Sequence, residues 1–281
     1  MQTIPPAQIK ALIDLLSKET GSGVSLLHDE LSQIIKHQPE TLQQVIEKDF
    51  NSTVPVAFAH ALQEIFWQEL DQHLTHFTNE LNPNLEEGLT WVTRFVNPAV
   101  HPTEIKKSID DLAKTLRPLL TSCFTAQDIL QAMGRYFFHT HSFTVLPTVH
   151  DIKEISFGRF IQKKRGSALC ISALYVVCAR QLGIQMELVD MAGRVLVMCK
   201  TPFETEPLFA DPLTNGTILT LEECKNYIAT RNLEWNDNFI LPLSSQAIVR
   251  RFFGTMIFVL NKLRDERRLV HVRRYMDILN N

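Results

Sequence analysis

Residues 168–179 read A-L-C-I-S-A-L-Y-V-V-C-A, and eleven of these twelve are apolar, Ser172 being the exception. A helix of that composition has no polar face, so it must be buried on every side. Both ends carry stop signals, because Ser167 is a natural N-cap and Gly183 a natural C′ residue. The run is too short to span a bilayer, which takes ~20 apolar residues. The chain is therefore expected to fold around a central core helix that carries Cys170 and Cys178.

What precedes this helix is helical in period. Apolar stripes occur at Ile9, Leu12, Ile13, Leu15 and Leu16, ended by Gly21-Ser22-Gly23. They recur at Leu26, Leu27, Leu31, Ile34 and Ile35, at Leu42, Val45, Ile46 and Phe50, and from Val56 to Phe77. Short amphipathic helices with tight connections bury their faces only against neighbours, which is the pattern of helical repeats. Residues 1–80 are thus expected to form a HEAT-like segment. A second helical section runs from about 85 to 143, followed by a short helix over 156–164. After the core helix the period changes to 2. Residues 185–190 alternate, 195–199 form an apolar run of strand length, 208–210 read as a short strand, and Asn215-Gly216 marks a turn. Thr220-Leu-Glu-Glu223 is a capping box. A helix pair over 245–263 and 266–279 closes the chain as a hairpin.

Five cysteines without a C-x-x-C pair, several in apolar runs, fit a reducing cytoplasm better than secretion. No signal peptide is visible in the first thirty residues, so a cytoplasmic location is expected. The formal net charge of −3 gives no global hint of a nucleic-acid partner, but it is unevenly spread. Residues 1–80 carry eleven Asp and Glu against four Lys, and residues 246–281 carry eight Lys and Arg against three acids. That asymmetry fits an acidic and a basic face packed on each other better than a nucleic-acid surface.

A buried helix followed by antiparallel strands is the arrangement on which transglutaminase-like and papain-like proteins build a thiol site. A Cys at the helix N-terminus has its pKa lowered by free N–H groups and the macrodipole. A His on the adjoining strand acts as base, and an Asp or Asn on the next strand orients it. The motifs D-I-K-E-I-S-F-G-R-F-I-Q-K-K-R-G (151–166), M-A-G-R-V-L (191–196) and F-A-D-P-L-T-N-G (209–216) resemble the SirB-type branch of the transglutaminase-like superfamily. So do L-T-W-V-T-R-F and A-M-G-R-Y-F-F-H-T-H-S-F upstream. The resemblance covers about residues 80–280. It implies a nucleophile position two residues after Gly166, where this chain has Ala168; SirB-type members often have Pro there. It implies a Pro-Gly/Gln-His-Phe strand motif, which here reads Ala192-Gly193-Arg194-Val195, with Arg194 at the histidine position. Asp211 matches the third member of the triad.

Cys170 lies two residues past Ala168, about 200° round the helix, and so should point elsewhere. It is retained as the candidate nucleophile of an alternative, enzymatic reading, with His139, His141 and His150 as the nearest histidines in sequence. Arg194 and Asp211 are expected to pair across strands, which keeps a pocket polar without a proton shuttle, since arginine stays charged. His139, His141 and His150, or His73 and His76, could in principle bind a metal, but no Cys or carboxylate cluster completes either set, so no metal is expected. No cofactor is expected either: there is no Gly-rich phosphate loop, no G-x-S-x-G and no H-E-x-x-H. Arg250, Arg251, Arg267, Arg268, Arg273 and Arg274 are candidates for an anion-binding stripe.

The expected fold is α+β and mostly helical. Helical repeats over 1–80 precede a transglutaminase-like domain over 81–281, with its core at 156–216 and a helical hairpin at 244–281. The leading functional expectation is a non-catalytic interaction or regulatory protein, a pseudoenzyme with a degenerate site and protein partners on its helical N-terminal segment. The alternative is a cysteine-dependent peptidase, amidase or transglutaminase relative using Cys170. A further alternative is a binder of anionic or nucleic-acid partners through the C-terminal arginines. No membrane partner is expected.

Overall fold

A computed structural model describes residues 4–16, 23–38, 41–42, 45, 49, 55–98 and 100–280. They divide into two units, Met1–His73 with Asn97–Val100, and Leu74–Val96 with His101–Asn281. In the first unit, α1 (Pro6–Leu16), α2 (Gly23–His37) and the first part of α3 (Val56–Asn79) share a core that includes Ile9, Leu12, Leu31, Ile34 and Phe58. Leu42 and Val45 of the third apolar stripe join it, while Ile46 and Phe50 lie outside the described residues, as do Gly21 and Ser22. Leu26, read as part of the second stripe, is 72 % exposed. One step of about 100° from Leu27 carries it off the face that Leu27 and Leu31 share.

The second unit is organised by the core helix. Its elements in order are α4 (Leu85–Val96), α5 (Pro102–Leu120), α6 (Ala126–Gly134), β1 (Thr144–Leu146), α7 (Phe157–Lys163), β2 (Arg165–Ser167), α8 (Ala168–Gln181), β3 (Met186–Met191), β4 (Arg194–Cys199), β5 (Leu208–Asp211), β6 (Thr217–Leu219), α9 (Leu221–Thr230), α10 (Ser245–Leu263) and α11 (Glu266–Ile278). Strands β3 to β6 form an antiparallel sheet in sequential order, and β1 and β2 form a separate parallel pair. The protein is a mostly helical α+β molecule with a small antiparallel sheet.

Helix α8 is the apolar run read from the sequence, and every residue from Leu169 to Ala179 is buried. It packs on β3 and β4 and on α5. The chain climbs α8 and descends β3, so the β3–β4 hairpin returns to the end where α8 begins. The other face of the sheet is covered by α9. Val189, Met191, Leu196 and Phe209 pack there with Cys224 and Ile228. Alternation along each strand sends Leu188, Val195 and Val197 to the opposite side.

Three features were not read from the sequence. Near the end of the helical section expected over about 85–143, α6 stops at Gly134, and Arg135–Thr140 form a π-helical turn. Gly134, where the two meet, lies beside the core helix, and a Cβ there would make an ordinary contact with the Tyr175 hydroxyl at 3.5 Å. The pair β1–β2 is too short for a period to show. Strand β6 follows the Asn215-Gly216 turn, whose residues take φ of 55° and 80°, a left-handed bend that returns the chain antiparallel to β5.

Candidate functional site

The start of α8 is set by the strand that feeds it. In β2, Gly166 pairs with Val145 and Ser167 with Leu146. A Cβ on Gly166 would come within 2.9 Å of the Glu154 carbonyl oxygen and of the Phe160 ring. Only glycine fits where this strand passes α7. Ser167 then caps the helix, its hydroxyl accepting from the Cys170 N–H at 3.4 Å. Ala168 is the first helical residue and is half-exposed. Its methyl group occupies the place where free backbone N–H groups and the helix dipole would act on a thiol.

Cys170 faces the other way. Its side chain is fully buried, and its thiol donates to the Ile155 carbonyl oxygen at 3.3 Å while accepting from the Ser167 hydroxyl at 3.3 Å. Burial pushes its pKa up to about 12, against a smaller lowering by the two hydrogen bonds to Ser167. Among the described residues its hydrogen-bond partners are a hydroxyl and a carbonyl, and neither removes a proton at neutral pH. Burial likewise pushes Cys199 and Cys224 up to about 12, and raises Cys178.

Arg194 opens β4 just after the hairpin turn at Ala192 and Gly193, both at positive φ as a tight two-residue hairpin requires. Its guanidinium pairs with the fully buried Asp211 carboxylate. It also lies over the Tyr227 ring, 4.9 Å from the centroid. Asp211 accepts from the Leu213 N–H at 3.1 Å and the Thr214 hydroxyl at 2.8 Å. The buried carboxylate is thus fully engaged. Register and alternation place Arg194 and Asp211 on the α9 face of the sheet, with Leu196 and Phe209. The fold brings Arg194 and Asp211 together, as expected, and sets them on the sheet face away from α8.

Tyr227 and Thr214 were missed by sequence reasoning. Thr214 carried a signal, as a hydroxyl three residues after an Asp-Pro turn start. Tyr227 stands one helical turn after Cys224 in a helix whose capping box was legible, but nothing in the sequence said which sheet face that helix covers.

The C-terminal arginines lie on two helices, Arg250 and Arg251 on α10 and the others on α11. Arg250 donates to the Asn280 side-chain oxygen at 3.1 Å. Arg251 pairs with Asp190 and donates to the Gly193 carbonyl at 2.6 Å, which pins the hairpin carrying Arg194. Arg268 pairs with Asp265 at 2.5 Å, and Arg267, Arg273 and Arg274 also lie on α11, Arg273 and Arg274 exposed. His139 and His150 are exposed, and His141 packs 4.4 Å from Tyr136, centroid to centroid. His73 lies on α3 with His76, whose ring is 3.2 Å from the Glu80 carboxylate. Among the described residues no group of three His, Cys, Asp or Glu is placed to hold a metal ion, and no helix is long and apolar enough to cross a membrane.

A buried helix capped by Ser167, an antiparallel sheet after it, and a buried Asp211 at the end of β5 are the framework on which a thiol site would be built. A family model described as the transglutaminase-like superfamily matches residues 103–254, more than half of the 281-residue chain. The chain belongs to the transglutaminase-like superfamily. No curated protein and no solved structure matches it significantly. The matched region runs from α5 to the middle of α10, so the superfamily assignment covers the core helix, the whole sheet and the Arg194–Asp211 pair. Within that framework the arrangement can hold charge and order a hairpin. Arginine remains protonated throughout the working pH range, so the pair cannot accept a proton as a histidine would.

Proposed function

We propose that this chain is a non-catalytic interaction or regulatory protein, a SirB-type transglutaminase-like pseudoenzyme whose site has been converted from chemistry to structure. The observation that carries this reading is the fate of the thiol. Ala168 holds the nucleophile position, and the nearest cysteine, Cys170, is fully buried with its S–H given to a backbone carbonyl. Supporting it, the histidine position holds an arginine that is spent on the buried Asp211. Removing one partner of such a pair leaves a buried charge unpaired, so the substitution has become part of what holds β4, β5 and α9 together. Protein partners are assigned to the helical N-terminal segment, because stacked short helices present extended surfaces of that kind. A cytoplasmic setting agrees with buried, reduced thiols.

The test is a broadly reactive thiol-directed activity probe applied to the full chain and to Cys170→Ala. The reading expects the folded chain to take up no more probe than the variant. Selective labelling of Cys170, accompanied by hydrolysis or transamidation that Cys170→Ala abolishes, would replace it with a cysteine enzyme.

A further inference from the structure

Helix α10 buries one stripe through Ile248, Phe252, Met256 and Val259. A second stripe recurs at helical spacing on another side, at Ala247, Arg251, Gly254, Thr255 and Phe258. It is left half-exposed, and Phe258 is 56 % exposed. With Asp190, Leu243 and Met276 this stripe lines a cleft of about 460 Å³, within the ~300–1,000 Å³ typical of ligand clefts. Along the helix, Ala247 to Phe258 extends about 16 Å, a trough rather than a round hole. Gly254 keeps its floor low, since the nearest atom to a Cβ there would be Met276 Cε at 3.8 Å.

The charge around the trough is one-sided. Arg250 and Arg251 line it, and the Lys262 ammonium lies 4.2 Å from the Phe258 ring centroid. Asp190 is the one carboxylate among the described residues lining it, and it is already paired with Arg251. The Arg250 guanidinium donates to a neutral amide oxygen, so its charge is not compensated there.

We propose that this trough docks an acidic amphipathic segment of a partner protein. One or two apolar side chains would lie over Gly254 against Phe258, Leu243 and Met276, with a carboxylate on Arg250. Charge complementarity selects that occupant: a basic segment would face Arg250 and Lys262 with like charge, and so would the same trough of a second copy in a two-fold pairing. The proposal goes beyond the reading of the thiol site and uses none of its residues.

The experiment selects a displayed library of random short peptides on the full chain, then measures the enriched peptides by fluorescence anisotropy. The expected result is enrichment of sequences combining acidic residues with aromatic or aliphatic anchors. Their affinity should fall about tenfold or more on Phe258→Ser and on Arg250→Glu separately. Both positions are exposed, so circular dichroism and the melting temperature should stay at wild-type values and separate lost binding from lost folding. No enrichment, or enriched peptides that bind both variants as well as wild type, would overturn the proposal. Two other outcomes would also overturn it. Binding of a heparin or single-stranded oligonucleotide probe that Arg250→Glu removes and Phe258→Ser leaves intact would assign the trough to polyanions. Self-association abolished by Phe258→Ser would assign it to a second copy of the chain. Neither variant touches Cys170, so failure here leaves the thiol reading standing, and the reverse holds too.

Discussion

Cys170 and Ala168 stand two residues apart at the start of one helix, and the direction of a single turn gives them different chemistry. At position 168 a side chain meets solvent and free backbone N–H groups, whereas at 170 it meets the Ile155 carbonyl in a dry interior. An Ala168→Cys variant should therefore ionise below the ordinary thiol value of about 8.5. Its iodoacetamide rate against pH should level off near neutrality, and a titration at or above that value would show the helix terminus to be electrostatically silent. The Arg194–Asp211 pair is tested by Arg194→Ala. Leu213 N–H and the Thr214 hydroxyl still hold the carboxylate, so the expected loss is about 2 kcal/mol, below that of a wholly orphaned buried charge. Urea unfolding reads this, and a loss within about 0.5 kcal/mol, as for an ordinary surface change, would show the pair to be ornamental. Position 170 was legible in the sequence, because a helix turns 100° per residue whatever surrounds it. The partners of Arg194 were legible only in part. Asp211 followed from the strand motif, whereas Tyr227 depended on which face α9 covers.

At the scale of elements, the readable parts were those with a local cause. Ser167 and Thr220 each cap a helix through a hydroxyl that accepts a backbone N–H, and the helices begin where those residues stand. The π-helical turn at Arg135–Thr140 and the β1–β2 pair have no such marker, since each depends on a distant neighbour. The Asn215-Gly216 turn lies between. It was legible as a turn, but its tight seat against the core was not. A Cβ on Gly216 would sit 3.0 Å from the Phe138 ring and 3.1 Å from the Tyr175 hydroxyl, at a φ of 80°. Gly216→Ala should cost about 2 kcal/mol through strain and crowding together. Thermal unfolding tests it, and an unchanged melting temperature would refute the crowding. The loop between β4 and β5 is tied down by Glu204, whose carboxylate accepts from the Thr201 N–H, the Thr201 hydroxyl and the N–H of Ala126 at the start of α6. Burial works to raise the pKa of this carboxylate, but those donors outweigh it and hold the pKa below its ordinary value. A lowered carboxylate pKa contributes stability above the unfolded value and loses it as pH falls. Amide exchange at Ala126 and Thr201 should therefore speed up, relative to the rest of the chain, as pH drops into the carboxylate range. Glu204→Gln should show that loosening at pH 7. Equal exchange in variant and wild type would break the link between loop and helix.

For the whole molecule, the transglutaminase-like scaffold is built around a core helix whose Cys170 thiol is buried and hydrogen-bonded to a hydroxyl and a carbonyl. Buried thiols also mark its stability. Their pKa values lie above those of the unfolded chain, so the stability they contribute is intact below about 8.5 and is lost as pH rises towards 12. Cys170→Ala should narrow its stability deficit against wild type over that interval, which urea unfolding at stepped pH would reveal; a constant deficit would mean that Cys170 titrates normally. The central claim is met most directly by the alkylation rate of native Cys170 as a function of pH, followed residue by residue by mass spectrometry under folding conditions. The account predicts a rate that stays negligible through neutrality and rises only as pH climbs towards about 12. A plateau reached at or below pH 7, showing a thiolate held by a neighbouring base, would contradict it.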